Sequence, residues 1–303
     1  MSQKHTGYVA IIGRPNVGKS TLLNHFLGEK LSITSRKPQT TRHRILGIKT
    51  IEPDVQIIYV DTPGIHQQMP YKLNQYMNKV ALASLKDVDV VVFVVEGTYF
   101  NEGDEWVLRQ LKKTKVPVIL VVNKIDMLAN KEILLPHLQK LSGQYAFAQI
   151  VPISARTGFQ LDRLEQTIIS YLPPCEEFYF AATDRTDRSD RFLASEVVRE
   201  KLMRNLGQEL PYATSVGIES FERTPELLTI SAVIWVERES QKPIVIGKQG
   251  ARLKMIGTQA RIALERLFKT KVMLKLWVKV LANWADSARA LQSLGYSDQD
   301  ENL

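Results

Sequence analysis

Continuous apolar runs at residues 9–12, 57–60, 90–95 and 118–122, with a shorter one at 150–153, punctuate the first half of the chain and alternate with helical stretches, the last being 161–171. Valine and isoleucine runs without polar alternation are the pattern of strands buried on both faces. The first half therefore predicts a mostly parallel sheet with helices on both sides. The segment 44–61 departs from this pattern, because two extended stretches meet at Ile51-Glu52-Pro53-Asp54. That is a hairpin, and it makes one strand antiparallel.

Leu172-Pro173-Pro174-Cys175 ends the last of these helices, and the polar Asp184-Arg185-Thr186-Asp187 follows. Beyond it the order changes to a helical stretch 188–206, strand-like runs 214–221 and 227–236, a glycine-bounded loop, a helix 251–267 and a strand 272–280. The helix gathers Leu253, Ile256, Ala260, Ala263, Leu264 and Leu267 on one stripe and leaves Arg252, Lys254 and Arg261 elsewhere. The strand puts Val272, Leu274, Leu276, Val278 and Val280 on one face and Met273, Lys275, Trp277 and Lys279 on the other, as a sheet buried on one side requires. The predicted organisation is an α/β domain at 1–173, a linker at 174–187, an α+β domain at 188–295 and a tail at 296–303.

A chain of 303 residues with 44% hydrophobic content is long enough for two domains and can build real cores, which excludes disorder as the default. The apolar run 90–95 is far short of the roughly twenty residues a membrane helix needs. The polar start, Met1 to Gly7, lacks a signal-peptide core, and the single cysteine, Cys175, makes no intrachain disulfide. A cytoplasmic protein is expected, with Cys175 incidental. The net charge of +8 is concentrated: residues 242–279 hold ten basic residues and one acidic residue, while the rest of the chain sums to −1. Such a local positive field suits a polyanion partner, although a solvated basic helix face has the same composition.

The apolar run 9–12 leads directly into Gly13-Arg14-Pro15-Asn16-Val17-Gly18-Lys19-Ser20. This is the strand, glycine-rich loop and Lys-Ser arrangement that cradles nucleotide phosphates on backbone N–H groups at a helix N-terminus. Gly13, Asn16, Val17, Gly18, Lys19, Ser20 and Thr21 are the predicted phosphate-binding residues. Lys19 reaches the β- and γ-phosphates, and the Ser20 hydroxyl goes to magnesium. Asp61-Thr62-Pro63-Gly64 ends the run 57–60, where Asp61 can hold magnesium through water and the Gly64 N–H can meet the γ-phosphate. Asn123-Lys124-Ile125-Asp126 closes the run 118–122. The Asp126 carboxylate can accept from the two adjacent donors that guanine offers and adenine lacks. Asn123 can tie this loop to the phosphate loop and contact the base edge, and the Lys124 stem can lie along the base. Ser154-Ala155, after the run 150–153, presents the Ala155 N–H to the guanine carbonyl.

With these motifs in place the chain resembles the Era family of translation-factor-related GTPases, in which a P-loop GTPase domain precedes a C-terminal KH RNA-binding domain. The resemblance covers both halves and implies GTP hydrolysis with magnesium. It implies that Lys37-Pro38-Gln39-Thr40-Thr41-Arg42 belongs to the first switch, with Thr41 as magnesium ligand and Thr40 second; spacing alone does not choose between them. Lys19, Thr41 and Gly64 are then the catalytic set, with Ser20, Thr41 and Asp61 around the metal. Ras-type GTPases place a water-orienting glutamine just after D-x-x-G, where this chain has Ile65, so slow intrinsic hydrolysis is expected. His66 beside it reads as a solvated switch residue. Era relatives with an asparagine at the position of Asn16 are thought to bind potassium there; a simple loop-capping role for Asn16 is the open alternative.

Gly247-Lys248-Gln249-Gly250 lies between apolar Ile244-Val245-Ile246 and the basic helix. KH domains use such a loop to bring single-stranded RNA backbone close, with bases on an apolar groove, so Gly247, Lys248, Gln249, Gly250, Arg252 and Lys254 are the predicted RNA-binding residues. Trp277 either stacks on a base or packs half-buried. The resemblance specifies the RNA as the 3′ end of small-subunit ribosomal RNA and the role as small ribosomal subunit assembly, for a protein expected to be a monomer. Two rival readings are an RNA-binding assembly protein that holds GTP as a structural ligand, and a GTPase peripheral to the inner face of the membrane.

Overall fold

The structure, a computed structural model, describes residues 3–65, 71–130, 132–207 and 209–296. The first domain runs β1 (Lys4–Ile12), α1 (Lys19–Leu27), β2 (Ile45–Ile51), β3 (Val55–Asp61), α2 (Lys72–Ala83), β4 (Val90–Glu96), α3 (Glu102–Leu111), β5 (Val118–Asn123), α4 (Leu134–Ser142), β6 (Gln149–Pro152) and α5 (Leu161–Ile169). The sheet order is β2-β3-β1-β4-β5-β6, parallel throughout except for β2, which pairs antiparallel with β3 as the hairpin predicts. Alternate residues of the buried strands feed two cores. Val9, Ile11, Tyr59 and Val121 pack under α1 and α5, while Ala10, Ile12, Val60 and Val122 pack under α2, α3 and α4. Because the strands run parallel, their C-terminal ends, and the loops that follow β1, β3, β5 and β6, gather along one edge.

The segment expected as a linker is laced to the first domain. Pro174–Cys175 forms β7, a second antiparallel strand, which pairs with the start of β1. Gln56 binds the Phe180 backbone from both ends of its amide, Tyr179 stacks on Tyr8 at 5.7 Å, and the Ile48 N–H donates to the Arg185 carbonyl at 2.9 Å. Proline and charge mark a chain that leaves a helix, yet free backbone groups on the neighbouring strands decide where it lies.

The second domain runs α6 (Asp190–Asn205), β8 (Thr214–Arg223), β9 (Leu227–Val236), α7 (Lys242–Ile246), α8 (Ala251–Phe268), β10 (Lys271–Val280) and α9 (Ala288–Ser293). Ser189 caps α6 by accepting from the Phe192 N–H, which places the helix start two residues past the pattern boundary. In the sheet, β10 pairs parallel and β8 antiparallel with β9, so β10 is an edge strand. Leu274, Leu276, Val278 and Val280 turn toward the helices, as the alternation predicts. The glycine-bounded loop contains a helix the pattern did not show: Pro243 in the first turn of α7 fits where no donor is needed.

The domains meet through two small cores. Leu73 and Met77 of α2 pack with Trp284, Leu291 and Tyr296, and Leu31 and Ile45 pack with Leu193 of α6. Among the described residues, no helix is long and apolar enough to cross a membrane.

Candidate nucleotide site and candidate nucleic-acid groove

The loop after β1 wraps the first residue of α1. Lys19 Nζ donates to the Gly13 and Arg14 carbonyls at 3.0 Å each, and its burial lowers its pKa to about 8, against the pull of Asp61. Val17 is fully buried, and Thr21 continues the first turn of α1. Asn16 is exposed with φ 65° and donates from Nδ2 to the Arg36 carbonyl at 3.0 Å, joining the loop to the first switch.

Asp61, at the end of β3, is the centre of a hydroxyl cluster. Its Oδ2 accepts from Ser20 Oγ at 2.9 Å, Ser32 Oγ at 2.7 Å and Thr41 Oγ1 at 3.5 Å, while Ser20 Oγ and Thr41 Oγ1 lie 2.8 Å apart. Burial raises the Asp61 pKa, with the hydroxyls and Lys19 acting against it. Its Oδ1 is buried without a hydrogen-bond partner among the described residues. The fold separates the two threonines: Thr41 faces this cluster, whereas Thr40 Oγ1 donates to the Lys37 carbonyl at 2.7 Å and shares a contact with Ser35. Ser32 carries no motif signal; only the path of the switch brings it in.

Gly64 backs onto the phosphate loop so closely that a Cβ there would come within 2.8 Å of Pro15 backbone nitrogen. The Ile65 N–H donates to the Gly13 carbonyl at 3.3 Å, and its side chain is buried in the sheet core, not directed into the site. His66 lies outside the described residues.

At the far end of the same edge, Asn123 donates from Nδ2 to the Val17 carbonyl at 2.8 Å and accepts at Oδ1 from the Ala155 N–H at 2.9 Å. The phosphate loop, the β5 loop and the β6 loop are thus held by one amide, and the Ala155 N–H expected at the base is engaged by Asn123. Asp126 Oδ1 accepts from Ser154 Oγ at 2.6 Å, and its Oδ2 pairs with Arg156 at 2.6 Å. The Ser154 hydroxyl chiefly, with Arg156, holds the Asp126 carboxyl below its ordinary range. Lys124 Nζ pairs with Glu96 at 3.0 Å, and Glu96 also pairs with Arg14 at 3.2 Å, whose Nε reaches Asp104 at 3.0 Å. Glu96, Asp104 and Arg156 escape motif reading because their partners are distant in sequence or outside the tetrapeptides.

In the second domain, Gly247 has φ 76° and Gly250 has φ 79°, and a Cβ at Gly247 would meet Arg252 Cβ at 2.7 Å. Left-handed backbone and close approach both call for glycine there. Lys248 and Gln249 are exposed at the turn, and Arg252 Nη1 donates to the Ile244 carbonyl at 2.5 Å. Beside the loop an open groove of about 410 Å³ runs between α8 and β10, with Leu253, Leu274 and Leu276 as its apolar floor and Lys254 and Arg261 along it.

A family model described as a 50S ribosome-binding GTPase matches residues 8–124, and one described as a KH domain matches residues 209–285. GTPase Era of Azotobacter vinelandii is 60% identical over 96% of this chain and 97% of its own length, and that of Marinobacter nauticus is 58% identical over 98% and 96%. A crystal structure of Era in complex with MgGDPNP and nucleotides 1506–1542 of 16S ribosomal RNA is 42% identical and superposes with a TM-score of 0.94 over 97% of this chain and 99% of that one. A tyrosine-to-alanine variant of Aquifex aeolicus Era bound to GDP.AlF4− gives a TM-score of 0.93 at the same identity and coverage. With relatives of this identity over nearly the whole chain and family models on both halves, the chain belongs to the Era family of GTPases, hydrolysing GTP in a P-loop domain joined to a KH domain.

Proposed function

We propose that the protein is a GTP-driven switch that binds the 3′ end of small-subunit ribosomal RNA in the cytoplasm and acts in small ribosomal subunit assembly. The observation that carries this reading is the position of the first switch. Thr41 turns into the phosphate site, while its neighbours are held by the KH domain: Arg199 donates to the Thr40 carbonyl, and Arg42 donates to carbonyls of Pro211, Tyr212 and Thr214. A segment shared in this way gives the γ-phosphate and the RNA one element to act on.

In this reading Gly13, Asn16, Val17, Gly18 and Thr21 cradle the phosphates, and Lys19 turns from the loop carbonyls to the β- and γ-phosphates. Magnesium fits the donor set: hydroxyls of Ser20 and Thr41 as ligands and the unpartnered Oδ1 of buried Asp61 for a metal-bound water. When bound it neutralises charge between the β- and γ-phosphates. The Gly64 N–H meets the γ-phosphate. Guanine takes the Asp126 carboxylate once Arg156 swings aside, with Lys124 along the base and Ser154, Asn123 and Ala155 holding the loop. With Ile65 buried, no side chain at that position orients water, and intrinsic turnover is slow. Asn16, whose Nδ2 is held by the Arg36 carbonyl, would offer its side-chain oxygen to a potassium ion, which would supply positive charge at the phosphates.

The RNA assignment is supported by the complex of the relative with a 16S ribosomal RNA segment and by the basic, glycine-turned groove. The GTPase-domain family description names the 50S subunit. The KH module and the relative's 16S segment favour the small one. The test is phosphate release with and without an RNA of nucleotides 1506–1542 of 16S ribosomal RNA, in potassium and in sodium at equal ionic strength. RNA should raise the rate, potassium should exceed sodium, and Asn16→Ala should remove the cation difference while GTP affinity is retained. No binding of this RNA would end the ribosomal reading, and equal rates in the two salts would end the role of Asn16.

A further inference from the structure

The edge strand β10 divides its residues between two surfaces. Leu274 and Leu276 line the groove beside α8, while Met273, Lys275, Trp277 and Lys279 alternate onto the opposite face. Trp277 is 44% exposed and Met273 45%, so the tryptophan is half-buried, as expected of a strand tryptophan, and still leaves part of its ring open to a partner. Trp277 is in register with Val233, which is fully buried on the same outward face, and Val233 is in register with Gly217. The indole therefore has the buried Val233 as its cross-strand neighbour and keeps nearly half of its surface open to solvent. Lys275 and Lys279 flank it two residues to either side, and Lys271 lies beyond Met273 on the same face. Lys279 pairs with Glu219 at 2.7 Å and lies 5.9 Å from the Trp235 ring. Lys271 and Lys275 are exposed and form no ion pair among the described contacts.

We propose that this outer sheet face is a second RNA subsite, in which an unpaired base stacks on Trp277 while Lys275 and Lys271 take phosphates. The inference rests on the reading of the KH domain as an RNA-binding module. A KH loop clamps roughly four nucleotides. A longer RNA needs further surface, and β10 offers it without interruption, because its unpaired edge is all that separates the groove from Trp277. Stacking on an aromatic side chain tolerates any base, and the lysines supply the positive track that single strands follow. The same tryptophan and lysine chemistry suits an anionic membrane, but Glu219 and Glu222 on β8 share this face. A flat anionic surface would meet both carboxylates, whereas a strand running along β10 avoids Glu222.

The probes are an RNA of nucleotides 1506–1542 of 16S ribosomal RNA and nested truncations of it, titrated by filter binding at several salt concentrations. Joint replacement Lys248→Asp and Gln249→Asp should remove binding of every length; survival of all lengths would mean that the groove reading itself fails. Trp277→Ala should weaken the longer RNAs about tenfold, the loss of one stacked base, and leave the shortest groove-dependent RNA within about twofold. Trp277→Phe should restore most of the loss. Lys275→Gln, a surface change, should lower the log-log salt slope by roughly 0.7 for the longer RNAs only. Equal losses at all lengths, or none at any, would overturn the subsite, and if Trp277→Ala does not fold the Lys275→Gln slope decides alone. Vesicles of phosphatidylglycerol and phosphatidylethanolamine form the last arm. Binding to them that depends on Trp277, with RNA affinity unchanged, would give the face to lipid and overturn the proposal.

Discussion

Arg42 donates from Nη1 to the Thr214 carbonyl at 2.8 Å, one residue along the chain from Thr41, whose hydroxyl lies 2.8 Å from Ser20 Oγ. The guanidinium is fully buried; it also reaches the carbonyls of Pro211 at 3.2 Å and Tyr212 at 3.1 Å and lies over the Trp284 ring at 5.6 Å. Burial lowers its pKa, and carbonyl dipoles from the KH domain take the place of a bound carboxylate. The planar fork of arginine suits three carbonyls on one turn in a way a lysine ammonium does not. This segment is therefore anchored at a fixed point in the second domain immediately beside the threonine that faces Ser20 and Asp61.

Replacing Arg42 with alanine should destabilise the protein by about 3 kcal/mol, because the buried carbonyls of residues 211–214 lose their donors and a cavity opens under Trp284. Arg42→Lys should recover only part of this. GTP and RNA, each titrated alone, should bind within a few-fold of wild type, while the effect of one on the affinity of the other shrinks. Urea unfolding reads the first effect and paired titrations the second. An unchanged linkage between GTP and RNA in the alanine variant would show that the switch speaks to the RNA by another route.

The Ser154 hydroxyl chiefly, with Arg156, holds the Asp126 carboxyl below its ordinary range and orients it as an acceptor. Asp126→Asn should weaken GTP by about two orders of magnitude and improve xanthosine triphosphate, since the amide can donate to the carbonyl that replaces the guanine amine. Arg156→Ala should leave guanine selectivity intact and affect the on-rate, because it removes a competitor for the carboxylate. Titration with GTP, ATP and xanthosine triphosphate checks all three. Comparable affinity of the wild type for ATP would remove the base-recognition role of Asp126.

Parts of this molecule legible from its sequence share one property: their signal is local. The strand of residues 9–12 and the phosphate loop that follows it, the hairpin at Ile51 to Asp54 and the alternating strand β10 are each specified within about ten residues by burial period or turn chemistry. What escaped depends on distant partners. Thr40 and Thr41 are interchangeable by spacing; which of them faces Asp61 follows from contacts distant in sequence, Arg199 on the Thr40 carbonyl and Arg42 on the carbonyls of Pro211, Tyr212 and Thr214. Residues 174–187 read as a linker from proline and charge, yet Gln56 and Ile48 bind them to the sheet. Trp277 belongs with the legible part: the alternation of β10 puts it on the open face of a sheet buried on one side, and it is half-buried there.

Lys19 gives a pH dependence with a definite sign. Burial lowers its pKa to about 8 in the nucleotide-free site, and phosphates brought to its ammonium raise it again. GTP binding between about pH 7.5 and 9 should therefore take up protons, and affinity should be flat below that window and fall as pH rises through it, by up to tenfold per unit. Calorimetry in two buffers of different ionisation enthalpy at pH 8.5 reads the uptake directly. Lys19→Ala should lose both nucleotide affinity and this proton uptake. Binding that releases protons at pH 8.5, or takes up none, would contradict the depressed lysine.

The basic groove makes a prediction that separates the two domains. Lys248 and Gln249 project from the turn between Gly247 and Gly250, where an RNA phosphate would pass closest to backbone, and neither packs against a core. Replacing both with aspartate puts two negative charges against that phosphate at no cost in burial, so the fold should persist while single-stranded RNA affinity falls by at least a hundredfold. GTP binding should be untouched, since Gly13 to Ser20 and Asn123 to Asp126 lie in the other domain. Arg252→Gln or Lys254→Gln alone should act more gently, each removing roughly 0.7 from the salt slope if it contacts one phosphate. Of the two, Arg252 should cost more, because it also donates to the Ile244 carbonyl and so holds the start of the turn. Filter-binding titrations across salt concentration, with nucleotide affinity measured on the same preparations, decide it. Undiminished RNA affinity in the double aspartate variant, with normal GTP binding, would mean that the turn at Gly247 to Gly250 is structural and that the polyanion lies elsewhere on the ten basic residues between Lys242 and Lys279.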